Sequence, residues 1–266
     1  MSADPTATTT TDQVVLVDRS TEGVALVTMN RPKQRNALNM ALRSTLFSTM
    51  LELDADPDIR AIVLTGADPA FCAGLDLKDL STGGLELEVG TAKRRLPFET
   101  LTKPLIGAVN GPAVTGGFEL ALGCDFLIAS ERAAFADTHA RVGVMPGWGL
   151  SVLLPQAIGR RRAHQMSFTG DYLDAAKALD WGLVNEVVAH DDLLDRALEL
   201  ASTMAQIPAA NLAAIKGAYR TANAPFDDPA LDAEQTYSAE WAAGFDADAL
   251  AANREAIQAR GRSQKG

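Results

Sequence analysis

Apolar and polar positions follow two different periods along this chain, and together they predict alternating strands and helices. Residues 14–17 and 24–29 are short β-branched runs separated by a polar turn at 18–23, which predicts a hairpin. Leu42, Leu46, Met50 and Leu53 then recur at three- and four-residue steps, the spacing of one helix face. Asn39 is placed to cap that helix and Asp56-Pro57 to stop it. Residues 61–64 and 105–109 read as buried strands, 116–122 as a helix and 125–129 as another strand. Between them, the polar, Gly-rich stretch 81–90 reads as a surface loop, followed by a short helix around 92–101.

Beyond Pro146 helices dominate, with Asp174 capping 175–181 and Asp191 opening 193–205; only 183–188 still has strand character. From Pro208 onward the pattern is helical and rich in Ala. These patterns imply a flexible start over 1–12, an α/β core domain over 13–200 and a helical section over 201–266. Strand–strand–helix units at irregular spacing are compatible with the core.

Composition narrows the function classes. The chain has 266 residues, 47% hydrophobic and 22% charged, the balance of a soluble globular protein. Its 24 Lys and Arg against 34 Asp and Glu give a formal charge of −10, which argues against nucleic acid or an anionic membrane as partner. The uncharged stretch 142–159 carries Pro146, Pro155 and four glycines, so it does not make a membrane-spanning helix. Cys72 and Cys124 lie far apart without CxxC spacing, and read as reduced, buried thiols rather than metal ligands. The first twelve residues lack the pattern of a secretion signal, so a cytoplasmic protein is expected.

Glu119 is the single charged residue between Pro104 and Cys124, set among Phe118, Leu120, Ala121 and Leu122. A buried carboxylate pairs, takes up a proton or performs general acid–base chemistry, and a place at a helix start also favours it. Gly116-Gly117 just before it would leave N–H groups free at a helix start, a site suited to a developing oxyanion, and Ala73-Gly74-Leu75-Asp76 is placed to add a second amide. Phosphate-loop, dinucleotide and HExxH motifs are missing. Ser151 lacks the closing glycine of a nucleophile elbow, Asp246 and Asp248 read as a helix cap, and His139, His164 and His190 are scattered, so no metal is assigned.

Taken together, Asn30-Arg31-Pro32, Asn36-Ala37-Leu38-Asn39, Phe71-Cys72-Ala73-Gly74-Leu75-Asp76-Leu77, Ala108-Val109-Asn110-Gly111, Gly116-Gly117-Phe118-Glu119-Leu120-Ala121 and Cys124-Asp125 resemble motifs of the crotonase, or enoyl-CoA hydratase/isomerase, superfamily. Gly143-Val144-Met145-Pro146-Gly147, Thr169-Gly170 and Gly182-Leu183-Val184 are similar too. The resemblance runs from about residue 13 to 190. It implies an α/β fold, a spiral of ββα units with a helical C-terminal oligomerisation section. It also implies an acyl-CoA thioester substrate whose oxygen is held by the N–H groups of Leu75 and Gly116, with Ala73, Gly74, Asp76, Lys78 and Gly117 around the ligand. Coenzyme A is then part of the substrate, and no separate cofactor is required.

Hydratases of this family add water to a 2-enoyl-CoA with two glutamates. Glu119 matches the first, whereas His139 stands where the second belongs, with Asp137 as another candidate for its role. The implied activity is an enoyl-CoA hydratase of fatty-acid or acyl-CoA metabolism. The His139 replacement keeps open an isomerase, an acyl-CoA hydrolase or a catalytically silent acyl-CoA-binding protein. Leu212, Ile215 and Tyr219 form an apolar helix face outside the core pattern, and the resemblance implies trimers or hexamers. Arg254, Arg260, Arg262 and Lys265 make a local basic cluster suited to a helix C-terminus.

Overall fold

A computed structural model describes residues 13–76, 95–244, 259, 260 and 263. The predicted hairpin is formed by β1 (Val15–Asp18) and β2 (Val24–Met29), antiparallel with Val15 opposite Met29. Helix α1 (Met40–Ala55) follows, and the Asn39 side chain accepts from the Leu42 N–H as expected of its cap. Its buried face comprises Leu42, Leu46, Phe47, Met50 and Leu53.

β3 (Ala61–Gly66), β4 (Leu105–Val109), β6 (Phe126–Ser130) and β9 (Glu186–Val188) extend β2 in parallel to make a six-stranded sheet, order β1-β2-β3-β4-β6-β9. A smaller sheet, order β5-β7-β8, is made of β5 (Pro112–Val114), β7 (Ala134–Ala136) and β8 (Leu173–Asp174). Successive strands alternate between the sheets: β4 then β5 lead into α2 (Gly116–Leu122), and β6 then β7 into α3 (His139–Val142). This is the expected ββα repeat. Sequence pattern alone missed β5 and β7, because three-residue strands are too short to show a period.

The larger sheet is buried on both faces. On β3, Ile62 and Leu64 join the main core with α1 and α2, while Ala61 and Val63 face α7 (Leu193–Ala205), whose Leu193, Ala197, Ala201 and Ala205 cover that side. The remaining helices are α4 (Leu150–Ile158), α5 (Arg160–Thr169), α6 (Ala175–Trp181), capped by Asp174 as expected, and the long α8 (Ala209–Ala242).

Most boundaries fall within two residues of expectation, and three elements differ further. The described part of the helix expected at 92–101 is a turn, with the Leu101 N–H donating to Phe98 O; Pro97 has no N–H to carry a helix through. The strand expected over 183–188 shrinks to β9, because Gly182 at φ +81° ends α6 and turns Leu183 and Val184 back onto Ala178 O. Asp191 does not open α7: a 3-10 turn over His190–Asp192 intervenes.

Candidate active site

Two loops are brought together by hydrogen bonds that explain several of the motif residues. Asn36 is fully buried, and its amide donates to the carbonyls of Ala67, Ala70 and Phe71 while its oxygen accepts from Arg31 N–H. That side chain ties the 31–39 loop to the 67–71 loop. Next in line, Ala73 N–H donates to Arg35 O, Leu38 N–H to Gly74 O and Asp76 N–H to Leu38 O. Arg31 adds an ion pair of 3.1 Å to Asp76.

The segment so fixed lies against the start of α2. A Cβ on Gly74, at φ +88°, would stand 2.7 Å from Val114 O, so only glycine allows this approach. A Cβ on Gly116 would lie 3.8 Å from Leu75 N, pointing into the space beside that amide. Among the described residues, neither Leu75 N–H nor Gly116 N–H has an acceptor. The two amides predicted as a pair are therefore neighbours, each without an acceptor among the described residues. Gly117 behaves differently: a Cβ there would collide with the Cys72 carbonyl, so its absence of side chain serves packing rather than ligand access. Ala73, Gly74 and Asp76 lie on the same loop, and Lys78 lies outside the described residues.

Thr115, one residue before, has φ +54° and ψ −118°, a backbone region costly for a β-branched residue. Its hydroxyl is 2.5 Å from that of Thr138, which precedes α3.

Glu119 is one turn into α2 and 3% exposed. It is paired, the first of the alternatives its sequence position left open. Its Oε1 accepts from Gly147 N–H at 3.1 Å and Trp148 N–H at 2.7 Å, and its Oε2 is 3.4 Å from His139 Nε2. His139 Nδ1 is 2.7 Å from Asp137 Oδ1, and its backbone N–H donates to the same oxygen. The segment is thus a tight turn into α3, and Asp137 points at the imidazole.

His139 is 4% exposed, and burial disfavours its charge. The Glu119 carboxylate and the Asp137 hydrogen bond outweigh that cost and hold its pKa at about 9, well above the ordinary 6.5. Burial likewise works against Asp137 ionising, but the His139 hydrogen bond and charge hold its carboxyl below the usual range. At neutral pH His139 is thus an imidazolium lying between Glu119 and Asp137.

Sequence reasoning missed Glu234. This residue of α8 is buried and receives Gly149 N–H at 2.5 Å, Ser151 N–H at 2.8 Å and the Ser151 hydroxyl at 2.5 Å. The available signal was a carboxylate falling in step with Leu231 and Ser238 on the buried stripe of α8. Ser151 is therefore a helix-start partner of Glu234 and shows no arrangement with a histidine. Of the C-terminal basic residues, Arg260 pairs with Asp171 at 2.5 Å, and Arg254, Arg262 and Lys265 lie outside the described residues. Both cysteines are buried and unbridged, and burial pushes the Cys72 thiol up to about 12. Among the described residues there is no cluster of metal-ligating side chains and no helix long and apolar enough to cross a membrane.

Comparison with known proteins gives a consistent family. The model of the enoyl-CoA hydratase/isomerase family matches residues 19–248. A probable enoyl-CoA hydratase of Mycobacterium tuberculosis is 42% identical over 205 residues, covering 75% of this chain and 78% of that protein. The 1,2-epoxyphenylacetyl-CoA isomerase of Escherichia coli is 37% identical over 224 residues, covering 81% and 86%. The crystal structure of an enoyl-CoA hydratase from Mycobacterium smegmatis aligns with a TM-score of 0.79 at 49% identity, covering 88% of this chain and all 100% of the other. With the fold and the motif residues in agreement, the chain belongs to the enoyl-CoA hydratase/isomerase family of the crotonase superfamily.

Proposed function

We propose that the protein is an enoyl-CoA hydratase in which an imidazolium replaces the second carboxyl group. The observation that carries this reading is the 3.4 Å approach of His139 Nε2 to Glu119 Oε2, one helical turn from the N–H of Gly116.

A 2-enoyl thioester with its carbonyl oxygen between Leu75 N–H and Gly116 N–H would have its enolate charge stabilised as it develops. The Glu119 carboxylate takes a proton from water as the water oxygen bonds to C3. The His139 imidazolium delivers its Nε2 proton to C2. The two groups are adjacent, so hydrogen and hydroxyl arrive on one face of the double bond. Glu119 then holds the proton from water and His139 is neutral, and transfer from Oε2 to Nε2 restores the starting state. Asp137 keeps Nδ1 protonated throughout, which leaves Nε2 as the nitrogen that gives and regains the proton.

Ala73, Gly74 and Asp76 lie along the coenzyme A portion in this reading, which needs no separate cofactor. The kinship with relatives named enoyl-CoA hydratase supports it. Kinship with a solved monofunctional enoyl-CoA isomerase of Mycobacterium smegmatis, 35% identical with a TM-score of 0.67, supports a second reading, proton transfer between C2 and C4 of a 3-enoyl thioester by the same pair. Turnover against 2-enoyl, 3-enoyl and saturated acyl-CoA substrates decides: hydration of crotonyl-CoA supports the first, and isomerisation without hydration replaces it.

The exposed Ile215, Tyr219, Phe226, Tyr237 and Trp241 of α8 support self-association as a trimer or hexamer, with 13–200 as the catalytic domain and 201–266 as the associating section. Light scattering that gave a stable monomer at micromolar concentration would contradict this. We place the enzyme in the cytoplasm.

A further inference from the structure

We infer that Glu234 is a positioning residue for Glu119: from α8 it fixes the loop whose amides hold the catalytic carboxylate. The inference rests on the hydratase reading for its kinetic consequence, and on geometry for the rest.

The loop from Gly147 to Ser151 points four backbone N–H groups at two carboxylates. Gly147 and Trp148 donate to Glu119, and Gly149 and Ser151 donate to Glu234. α4 begins at Leu150 and has no cap of its own, because Gly149 carries no side chain. An uncapped, buried helix start leaves N–H groups unsatisfied, and a bidentate carboxylate from a distant helix supplies both acceptors. The same side of α8 holds the segment leading into the loop, from Gly143 to Gly147, at three more points. Gln235 donates to Gly147 O, Trp241 Nε1 donates to Gly143 O at 2.9 Å, and the Ser238 side chain packs at Gly147. Positions 234, 238 and 241 are spaced as one helical stripe and Gln235 stands at its edge, so these contacts come from one side of α8.

Gly147 and Trp148 are glycine and its neighbour on a chain with little regular structure before α4. Without Glu234, Gly149 regains its freedom, and the adjacent amides lose the orientation that keeps Glu119 Oε1 engaged and Oε2 toward His139. A carboxylate free to rotate still binds no less substrate, but it meets water and C3 correctly for a smaller fraction of the time. Burial, and then the charge of Glu119, push the Glu234 carboxyl above its ordinary range, in keeping with the closeness of the two groups.

The test uses the full-length protein and the variants Glu234→Ala, Glu234→Gln and Ser151→Ala, with Leu53→Ala as a core-destabilised control. Hydration of crotonyl-CoA and amide exchange at Gly147 and Trp148 are both measured below the melting transition of every variant. Glu234→Ala should lower kcat by about 10–100-fold with KM within about twofold, and should speed exchange at those two amides. Glu234→Gln retains one acceptor and should recover part of both. Ser151→Ala, which removes a single bond, should shift both in the same direction by a smaller factor. Leu53→Ala should lower the melting temperature while leaving kcat and both amides unchanged. Unchanged exchange at Gly147 and Trp148 in the Glu234 and Ser151 variants overturns the inference whatever the reaction proves to be. So does a hydratase whose kcat is indifferent to Glu234→Ala. A wild type without hydratase activity, but with faster exchange in Glu234→Ala, supports the positioning role and removes only the hydratase reading.

Discussion

Two regions meet at α2, and they are made of different material. Around Leu75 and Gly116 the donors are backbone N–H groups, and their placement depends on Asn36, Gly74 and Gly117, which shape loops. Around Glu119 the working groups are side chains: a carboxylate, the imidazole of His139 and the carboxylate of Asp137. A backbone donor changes only if the loop changes, whereas a side chain can be exchanged on an unchanged loop. The first region accordingly carries the motifs on which the resemblance to the family rests, and residue 139 in the second is where the sequence reading of that resemblance fails. The hydroxyl pair Thr115 and Thr138 links the two, joining the residue before Gly116 to the residue before His139.

The largest effect is expected on the side-chain region. Glu119→Gln keeps the acceptor for the 147–148 amides but cannot take the proton from water. Turnover should fall by roughly 10²–10⁴-fold while substrate binding and melting temperature stay close to wild type. A variant that instead loses its fold and keeps its specific activity would show Glu119 to be structural.

Next comes the backbone region, where adjacent glycines should respond in opposite ways. A Cβ at residue 116 meets Leu38 Cδ1 at 3.5 Å, an ordinary contact, so Gly116→Ala should fold. Its methyl would occupy the space beside Leu75 N–H, and activity should drop by about 10²–10³-fold. Gly117→Ala should fail to accumulate as folded protein, because the obstacle is the Cys72 backbone. Soluble expression, melting temperature and kcat on both variants check the pair, and an active Gly116→Ala would move the oxyanion site elsewhere.

Stability should also reveal the charged imidazole. Because the folded pKa of His139 is raised to about 9, its contribution is complete below about 6.5 and is lost as pH rises through about 9. The melting temperature of the wild type should therefore fall across that window more steeply than that of His139→Gln. Equal slopes would mean that the ring is not held as a cation. Asp137 has the opposite sign, contributing above its ordinary 3.8 and failing in acid.

The smallest effect is expected at the link. Thr138→Val leaves the Thr115 hydroxyl buried without its partner, which should cost about 1–3 kcal/mol in urea unfolding. Turnover should fall only a few-fold. No loss of stability would show the hydroxyl contact to be dispensable.

Much of this was legible in the sequence because it repeats locally. The α1 stripe, the Asn39 and Asp174 caps and the β3 and β4 runs need only their neighbours to be read. Glu119 stood out as one charge in an apolar stretch, and Gly116 as a glycine at a helix start. What was not legible depends on contacts distant in sequence. Asn36 looks like any polar loop residue until the carbonyls of 67–71 fold over it. Glu234 looks like any glutamate on an Ala-rich helix until α4 presents its uncapped start, 85 residues away in the chain. The turn that aims Asp137 at His139 is likewise tied through Thr138 to Thr115, at another strand–helix junction.

The central claim is that His139, charged and held by Asp137, gives the proton to C2. The pH dependence of kcat/KM for crotonyl-CoA hydration, measured on the wild type and His139→Gln, tests it most directly. The imidazolium is the active form, so the wild-type rate should fall tenfold per pH unit above a break near 9, and His139→Gln should be slow at all pH values without that break. A wild-type profile that stays level through pH 9, or a His139→Gln variant that hydrates as fast as the wild type, would contradict the account.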